Sequence, residues 1–300
     1  MRHYLYSAFI LLIVSCASKP HKETDKVYIK KLKVLKEQIS EQEPKPLPAV
    51  TKTVISIDTS YSKVLYRFSD SITKIGVKTL QNGQETEWVG TVNFNLRKPS
   101  FIILHHTAQE SVEQTIRTFT LNRTQVSAHY IVGDDGRVVQ MLNDYLRAWH
   151  AGSGSWGKIT DMNSCSIGIE LDNNGYEPFS EAQITSLMAL LSRLQKEFNI
   201  PKANIIGHAD IAPSRKVDPS ALFPWKTLAE NGFGLWQDEI LEPAPENFDV
   251  VQALRVIGYD TKNLKTTVTA FKLHYLPSEV DSVINEKTIN TIYSIYKKSI

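Results

Sequence analysis

The apolar positions of this chain follow two rhythms. One is the short unbroken run. Phe101-Ile102-Ile103-Leu104 is followed directly by His105 and His106. Such a run is too brief for an ordinary helix and suits a strand covered on both faces. Ser166-Ile167-Gly168-Ile169-Glu170-Leu171 repeats the pattern, with Glu170 set among apolar neighbours. Ser127–Val132 reads as another strand, and Asn204–Gly207 as a short one that delivers His208. Asp134-Asp135-Gly136 has turn chemistry, so Arg137–Met141 is expected to return as the second arm of a hairpin.

The second rhythm is helical. Val112, Ile116 and Phe119 keep the period over Ser111–Leu121. Ile184, Leu187, Leu191, Leu194 and Phe198 share one face behind Ser180 and Gln183, which are spaced as a capping box. Asn199-Ile200-Pro201 ends that helix. Leu222-Phe223-Pro224-Trp225 opens another, which stops near Gly232. Strands alternating with helices predict an α/β domain: a mixed central β-sheet flanked by helices. After the linker Leu241-Glu242-Pro243-Ala244-Pro245, three helices are expected over Asn247–Ile257, Thr267–Tyr275 and Asn285–Lys298, with Gly258 as a stop. They predict a small three-helix domain.

The N-terminus reads differently. Met1-Arg2-His3 is basic, Tyr4–Val14 is mostly apolar but too short to span a bilayer, and small residues follow. This is the layout of a signal peptide. Ile13-Val14-Ser15-Cys16 resembles a bacterial lipobox, although Val14 is not the usual Ala or Ser. The resemblance implies lipid on Cys16 as the first mature residue, and hence a membrane anchor. The alternative is a plain secretory signal with an incidental cysteine. Ala17 is not the acidic residue that resembles an inner-membrane retention signal, so the expected anchor is the outer membrane, facing the periplasm. His21–Glu43 is rich in Lys, Glu and Gln, with Ile29, Leu32, Leu35 and Ile39 at helical steps. Glu43–Pro48 should be extended and polyproline-like. Val54–Ile57, Val64–Phe68 and Thr91–Leu96 look like strands. The expected organisation is therefore a signal at 1–15, a lipidated tether with some strands at 16–84, the α/β domain at 85–240, and the helical domain at 241–300.

Composition narrows the partners. Of 300 residues 42% are hydrophobic, enough for a real core, and the net charge is only +2. That gives no support for nucleic-acid binding, which calls for a strongly basic face. There are two cysteines. With Cys16 processed, Cys165 has no partner within the chain, and it reads as a small buried residue. Nothing points to an obligate oligomer, so a monomer is expected.

The histidines carry the chemistry. Five of eight fall between His105 and His208. Hydrolytic zinc sites take three protein ligands and keep one open position, with His nitrogen and carboxylate oxygen as good donors. His105, His208 and Asp218 supply that set for one zinc ion per chain. Glu170 is the candidate for moving the proton from water to a leaving amine. Lys216, two residues before Asp218, is placed to stabilise an oxyanion. Each residue alone has an ordinary explanation: a histidine after a strand is usually structural, and a glutamate in a strand is usually a rim charge. His129 is expected to be structural. Gly152-Ser153-Gly154-Ser155-Trp156-Gly157 matches a dinucleotide fingerprint in form but opens no helix after a strand, so it is set aside. No His-Glu-x-x-His is present, which leaves a thermolysin-like protease unsupported.

From Phe101 to Trp225 the motifs resemble the type 2 N-acetylmuramoyl-L-alanine amidase family, zinc amidases related to peptidoglycan-recognition proteins. The matching pieces stand in family order: Ile103–Ala108, Val126–Tyr130, Ala148–Gly152, Ser166–Glu170, Gly207–Pro213 and Arg215–Pro219. The layout is similar to the outer-membrane lipoprotein members, which carry a small C-terminal domain. The resemblance implies zinc at His105, His208 and Asp218, catalytic roles for Glu170 and Lys216, and Trp149 and His150 along the substrate groove. It implies peptidoglycan or its muropeptides as substrate. The C-terminal helices, with Ala270-Phe271-Lys272 in their core, resemble small peptidoglycan-binding domains; the alternative is a cap that only completes the amidase.

Two departures stand out. The family usually follows its Asp-Pro pair with Gly, and here the residue is Ser220. The position after the first ligand is often Tyr, Asn or Cys, and here it is His106, so His105 and His106 compete for the metal; the motif register selects His105. A non-catalytic peptidoglycan-binding protein on the same fold, or a different zinc hydrolase, would share much of this pattern. The complete ligand set with Glu170 and Lys216 favours the enzyme.

Overall fold

The structure, a computed structural model, describes residues 99–300 and six helical, exposed positions between Lys26 and Glu37. The expected signal segment, Cys16, the proline-rich stretch and the strands before Arg97 lie outside the described residues. Of the tether face, Ile29 is described; it is helical and exposed.

Five strands form the sheet: β1 (Phe101–His106), β2 (Tyr130–Val132), β3 (Val138–Gln140), β4 (Ser166–Leu171) and β5 (Ile205–Gly207). Their order is β3-β2-β4-β1-β5. β1 runs parallel to β4 and β5, β2 runs parallel to β4, and only the β2–β3 hairpin is antiparallel. The sheet is mixed, as the alternation of elements predicts. The expected strand from Ser127 shortens to three residues. The N–H groups of Ser127 and His129 instead donate to the carbonyls of Trp149 and Gly168 outside any strand ladder.

Side-chain alternation divides β1 and β4 between two cores. Ile102, Leu104, Ile167, Ile169 and Leu171 point to one face and pack on helix α2 (Glu181–Phe198) through Ile184, Leu187, Leu191, Leu194 and Phe198. Ser180 caps α2 by accepting from the Gln183 N–H at 3.0 Å. The expected capping box is only half made. The Gln183 amide turns inward and donates to the carbonyls of Val132 and Asp172, tying α2 to the sheet. Helix α1 (Val112–Thr120), capped by Ser111, runs beside β2. The short α3 (His208–Ile211) follows β5 without a break, and α4 (Trp225–Glu230) comes after a loop.

The opposite face carries Phe101, Ile103 and Ile206. It is covered by the C-terminal helices α5 (Val250–Ile257), α6 (Leu264–Tyr275) and α7 (Glu286–Ser299). Leu254, Ile257, Val268, Phe271, Ile292 and Ile295 belong to the same buried cluster as Phe101 and Ile103. The three helices thus share a core with the sheet. Gly258 ends α5 at φ +136°, and a Cβ there would lie 2.2 Å from the Trp156 ring. Only glycine allows this approach, which seats Trp156 against Tyr259.

Candidate active site

The site lies at the C-terminal ends of β1, β4 and β5, in a cleft of about 360 Å³. Parallel strands place their carboxyl ends together, so residues far apart in sequence meet there. β1 delivers His105 and β4 delivers Glu170. β5 leads straight into α3, whose first residue is His208. The loop after α3 returns Asp218, held beside the helix by the Ala209 N–H, which donates to the Asp218 carbonyl at 2.8 Å.

Three side-chain atoms converge on the cleft floor. His105 Nδ1 lies 2.9 Å from His208 Nδ1 and 3.2 Å from Asp218 Oδ2, and His208 Nδ1 lies 3.0 Å from the same oxygen. All three residues are buried. Ligands about 2.1 Å from a tetrahedral zinc sit about 3.4 Å apart, so the three atoms are a few tenths of an ångström closer than in a filled site. His106 stands outside the triangle: its Nδ1 accepts from the Ser220 N–H at 3.2 Å. The two departures from the family pattern therefore touch each other.

Hydrogen bonds fix which ring nitrogens are bare. His208 Nε2 faces the Ala151 carbonyl at 3.2 Å. The same carbonyl accepts from Arg215 Nη2 at 2.9 Å, and that guanidinium nitrogen lies 3.4 Å from Nε2. The carbonyl is the nearer partner and only accepts, which assigns the hydrogen to Nε2 and leaves Nδ1 of the neutral ring unprotonated. A longer chain fixes His105. Ser166 donates its hydroxyl to the Met162 carbonyl at 2.5 Å. It is then an acceptor for His150 Nε2–H at 3.2 Å, which leaves His150 Nδ1 bare to accept from His105 Nε2–H at 3.0 Å. His105 Nδ1 is bare as well. Two imidazole lone pairs and a carboxylate thus face one another at about 3 Å, an arrangement that a cation resolves. The residues fit a zinc ion.

Electrostatics follow from burial. Burial lowers His105 to about 4, and the neighbouring His208 adds to this. Burial pushes Glu170 up to about 8, Asp218 adds to the rise and Lys216 opposes it. Glu170 and Lys216 both line the cleft with the three donors.

Trp149 and His150, expected together on the groove, divide. Trp149 is about half exposed on the cleft wall. His150 is buried behind His105. Its ring fills the space that a side chain at position 168 would occupy, since a Cβ there would lie 2.4 Å from His150 Cγ. Gly168, in the middle of β4, is the sequence signal of that close approach. His129 is wholly buried. It accepts from the Gly168 N–H and faces the Leu146 carbonyl, a structural role as expected. Cys165 is half-buried at the end of a turn, with its thiol toward the Met162 carbonyl. Asn163 went unnoticed in the sequence. Its Oδ1 accepts from the N–H groups of both His150 and Ala151, at 3.0 and 2.9 Å.

Comparison with known proteins decides the family. Residues 95–221 match the N-acetylmuramoyl-L-alanine amidase (Amidase_2) family. The chain is 33% identical over 209 residues to N-acetylmuramoyl-L-alanine amidase AmiD of Escherichia coli K12, covering 59% of this chain and 75% of that protein. The chain belongs to the N-acetylmuramoyl-L-alanine amidases. It is also 41% identical over 103 residues to 1,6-anhydro-N-acetylmuramyl-L-alanine amidase AmpD of Haemophilus influenzae, covering 34% of this chain and 56% of AmpD. The fold is similar to that of E. coli AmiD in complex with anhydro-N-acetylmuramic acid-L-Ala-D-γ-Glu-L-Lys, with a TM-score of 0.63 and 28% identity, over 74% of this chain and 98% of AmiD. That match extends beyond the family segment, so this amidase and AmiD also resemble each other outside residues 95–221.

Proposed function

We propose that this amidase is a zinc enzyme that hydrolyses the amide between the lactyl group of N-acetylmuramic acid and L-alanine, in peptidoglycan or its fragments. The observation that carries the reading is the convergence of His105 Nδ1, His208 Nδ1 and Asp218 Oδ2 beside Glu170 in one cleft. These three residues would hold one zinc ion. When bound, zinc would supply Lewis acidity for the scissile carbonyl and for water. Glu170 takes the proton that water loses and returns it to the alanine nitrogen as the C–N bond breaks. A carboxyl group raised toward neutrality suits both transfers. The Lys216 ammonium, on the same cleft, stabilises the negative charge that develops on the carbonyl oxygen. Trp149 offers an exposed aromatic face along the groove, where a sugar or peptide stem would lie. E. coli AmiD was solved with an anhydro-muramyl tripeptide, which supports soluble fragments as one substrate class.

The lipobox-like Ile13–Cys16 supports an anchor: lipid on Cys16 would hold a monomer on the outer membrane, facing the periplasmic wall. Cys16→Ser should then release the protein from the membrane fraction. The helices after residue 241 are proposed to contribute to the wall-binding surface as well as to the core. The direct test incubates the protein with purified muropeptides and identifies products by mass. Free peptide beginning with L-alanine, lost on chelation and restored by zinc, is expected. Intact muropeptide after incubation with zinc-loaded protein would overturn the assignment.

A further inference from the structure

We propose that Asn163 is a positioning residue for the metal centre, acting on both histidine ligands at once through the segment Trp149–Ala151. The inference rests on the zinc reading above. Each histidine ligand is oriented from behind by one acceptor, and the two acceptors are consecutive in sequence. His150 Nδ1 takes the Nε2–H of His105 at 3.0 Å, and the Ala151 carbonyl takes that of His208 at 3.2 Å. Moving this dipeptide would therefore move both rings or free both tautomers.

The dipeptide lies in no helix or strand. Its two N–H groups are both taken by one atom, Asn163 Oδ1, at 3.0 and 2.9 Å. The two bonds fix two successive peptide units against the 3₁₀ turn Met162–Ser164. The same turn supplies the Met162 carbonyl, which orients Ser166 and through it His150. From outside, Asp161 caps the turn by accepting from the Ser164 N–H, and Arg147 bonds both Asp161 and Ser164. The turn is thus braced on its exposed side and presents Asn163, itself buried, toward the metal ligands. Asn163 touches neither ligand, so its effect passes through His150 and Ala151.

The chemistry specifies what can replace it. The working atom is an sp² oxygen that accepts twice. Aspartate keeps that oxygen at the same reach; alanine removes it and leaves two buried N–H groups unsatisfied. Outer-shell partners of metal ligands typically contribute about 10- to 100-fold in metal affinity. The experiment measures the zinc dissociation constant by chelator competition for the wild type, Asn163→Ala, Asn163→Asp and His208→Ala. It also records imidazole ¹⁵N spectra and melting of the metal-free proteins. Asn163→Ala should bind zinc about 10- to 100-fold more weakly, with His105 and His208 no longer held as single Nε2–H tautomers. Asn163→Asp should retain wild-type affinity and spectra. Wild-type affinity in Asn163→Ala would overturn the proposal. So would an Asn163→Asp protein that folds but binds zinc as weakly as the alanine variant, and this arm decides the matter if Asn163→Ala does not fold. A wild type that binds no more zinc than His208→Ala would instead overturn the metal reading itself.

Discussion

His105 and Glu170 occupy the same rung of the parallel β1–β4 ladder. Residues opposite each other on neighbouring strands project to one face of a sheet, with Cβ atoms about 5 Å apart. A proposed metal ligand and the proposed proton carrier are thus set side by side by backbone hydrogen bonds rather than by a loop. The next residues back on that face, Ile103 and Gly168, explain the rest. Ile103 is buried in the core, and Gly168 leaves room for the His150 ring behind His105.

This rung separates metal binding from proton transfer. Glu170→Gln keeps the shape of the side chain and removes its proton chemistry. Turnover of a muropeptide should fall about 100- to 10,000-fold, the usual loss for a general acid–base group. Zinc content and binding of wall fragments should stay at wild-type levels. Metal, binding and rate are to be measured on one preparation. Near-normal turnover would remove Glu170 from the mechanism, and lost zinc would make it a ligand.

The adjacent histidines give a second separation. His105 Nδ1 belongs to the converging triangle, whereas His106 Nδ1 accepts from the Ser220 backbone. His105→Ala should lose most of its zinc by elemental analysis. His106→Ala should retain close to one zinc per chain and lose only the tie to the loop after Asp218. The reverse pattern would shift the ligand by one residue.

Much of this site could be read in the sequence because its parts are local. A four-residue apolar run ending in His-His, or His208 followed by Asp218 ten positions later, needs no tertiary information to be noticed. What stayed hidden depends on partners distant in the chain. Asn163 looks like any loop asparagine until its oxygen is seen between the N–H groups of residues 150 and 151. The C-terminal helices posed the same difficulty. Leu254, Ile257, Val268 and Phe271 define apolar faces, but a helix stripe does not say what covers it. Here they pack with Phe101 and Ile103 of β1 as well as with one another. Lys272, read within a helix core, is fully buried, and its ammonium reaches Asp281 at 2.5 Å.

The raised Glu170 carboxyl sets a pH dependence of stability. Its folded pKa is pushed up to about 8, chiefly by burial, whereas an unfolded Glu titrates near 4.3. Between these values the folded metal-free chain holds a proton that the unfolded chain has released, so this group's contribution to stability falls as pH rises. Glu170→Gln removes the term. At pH 4 the metal-free variant and wild type should melt alike. By pH 8 the variant should melt clearly higher, by several degrees or more, since about 1 kcal/mol registers as a few degrees in a chain of this size. Equal melting points at pH 8 would show that burying this carboxyl costs the fold nothing.

The last prediction concerns how the C-terminal helices hold the segment that carries His208. Asp210, two residues after that ligand, is buried and accepts three hydrogen bonds. They come from the Gly207 N–H at 2.7 Å, the Tyr259 hydroxyl at 2.5 Å and His274 Nδ1 at 2.7 Å. Gly207 immediately precedes His208, while Tyr259 follows α5 and His274 lies on α6, stacked on Trp225 at 3.8 Å. The carboxylate therefore ties the turn that carries His208 to the helical segment at a point closed to water. A hydrogen bond to a buried carboxylate typically contributes about 1.5–3 kcal/mol, and removing the donor leaves the acceptor short of a partner. His274→Leu should destabilise the protein on that scale in denaturant unfolding. Tyr259→Phe, which deletes one hydroxyl, should cost about 1–3 kcal/mol. His274→Asn, which places an amide donor where Nδ1–H was, should recover part of the loss. Truncation after Pro245 removes both donors and uncovers the Phe101–Ile103 face, so it should abolish soluble expression. A truncated chain that stays soluble and melts like the full protein would show that the helices are an appendage rather than part of the amidase core.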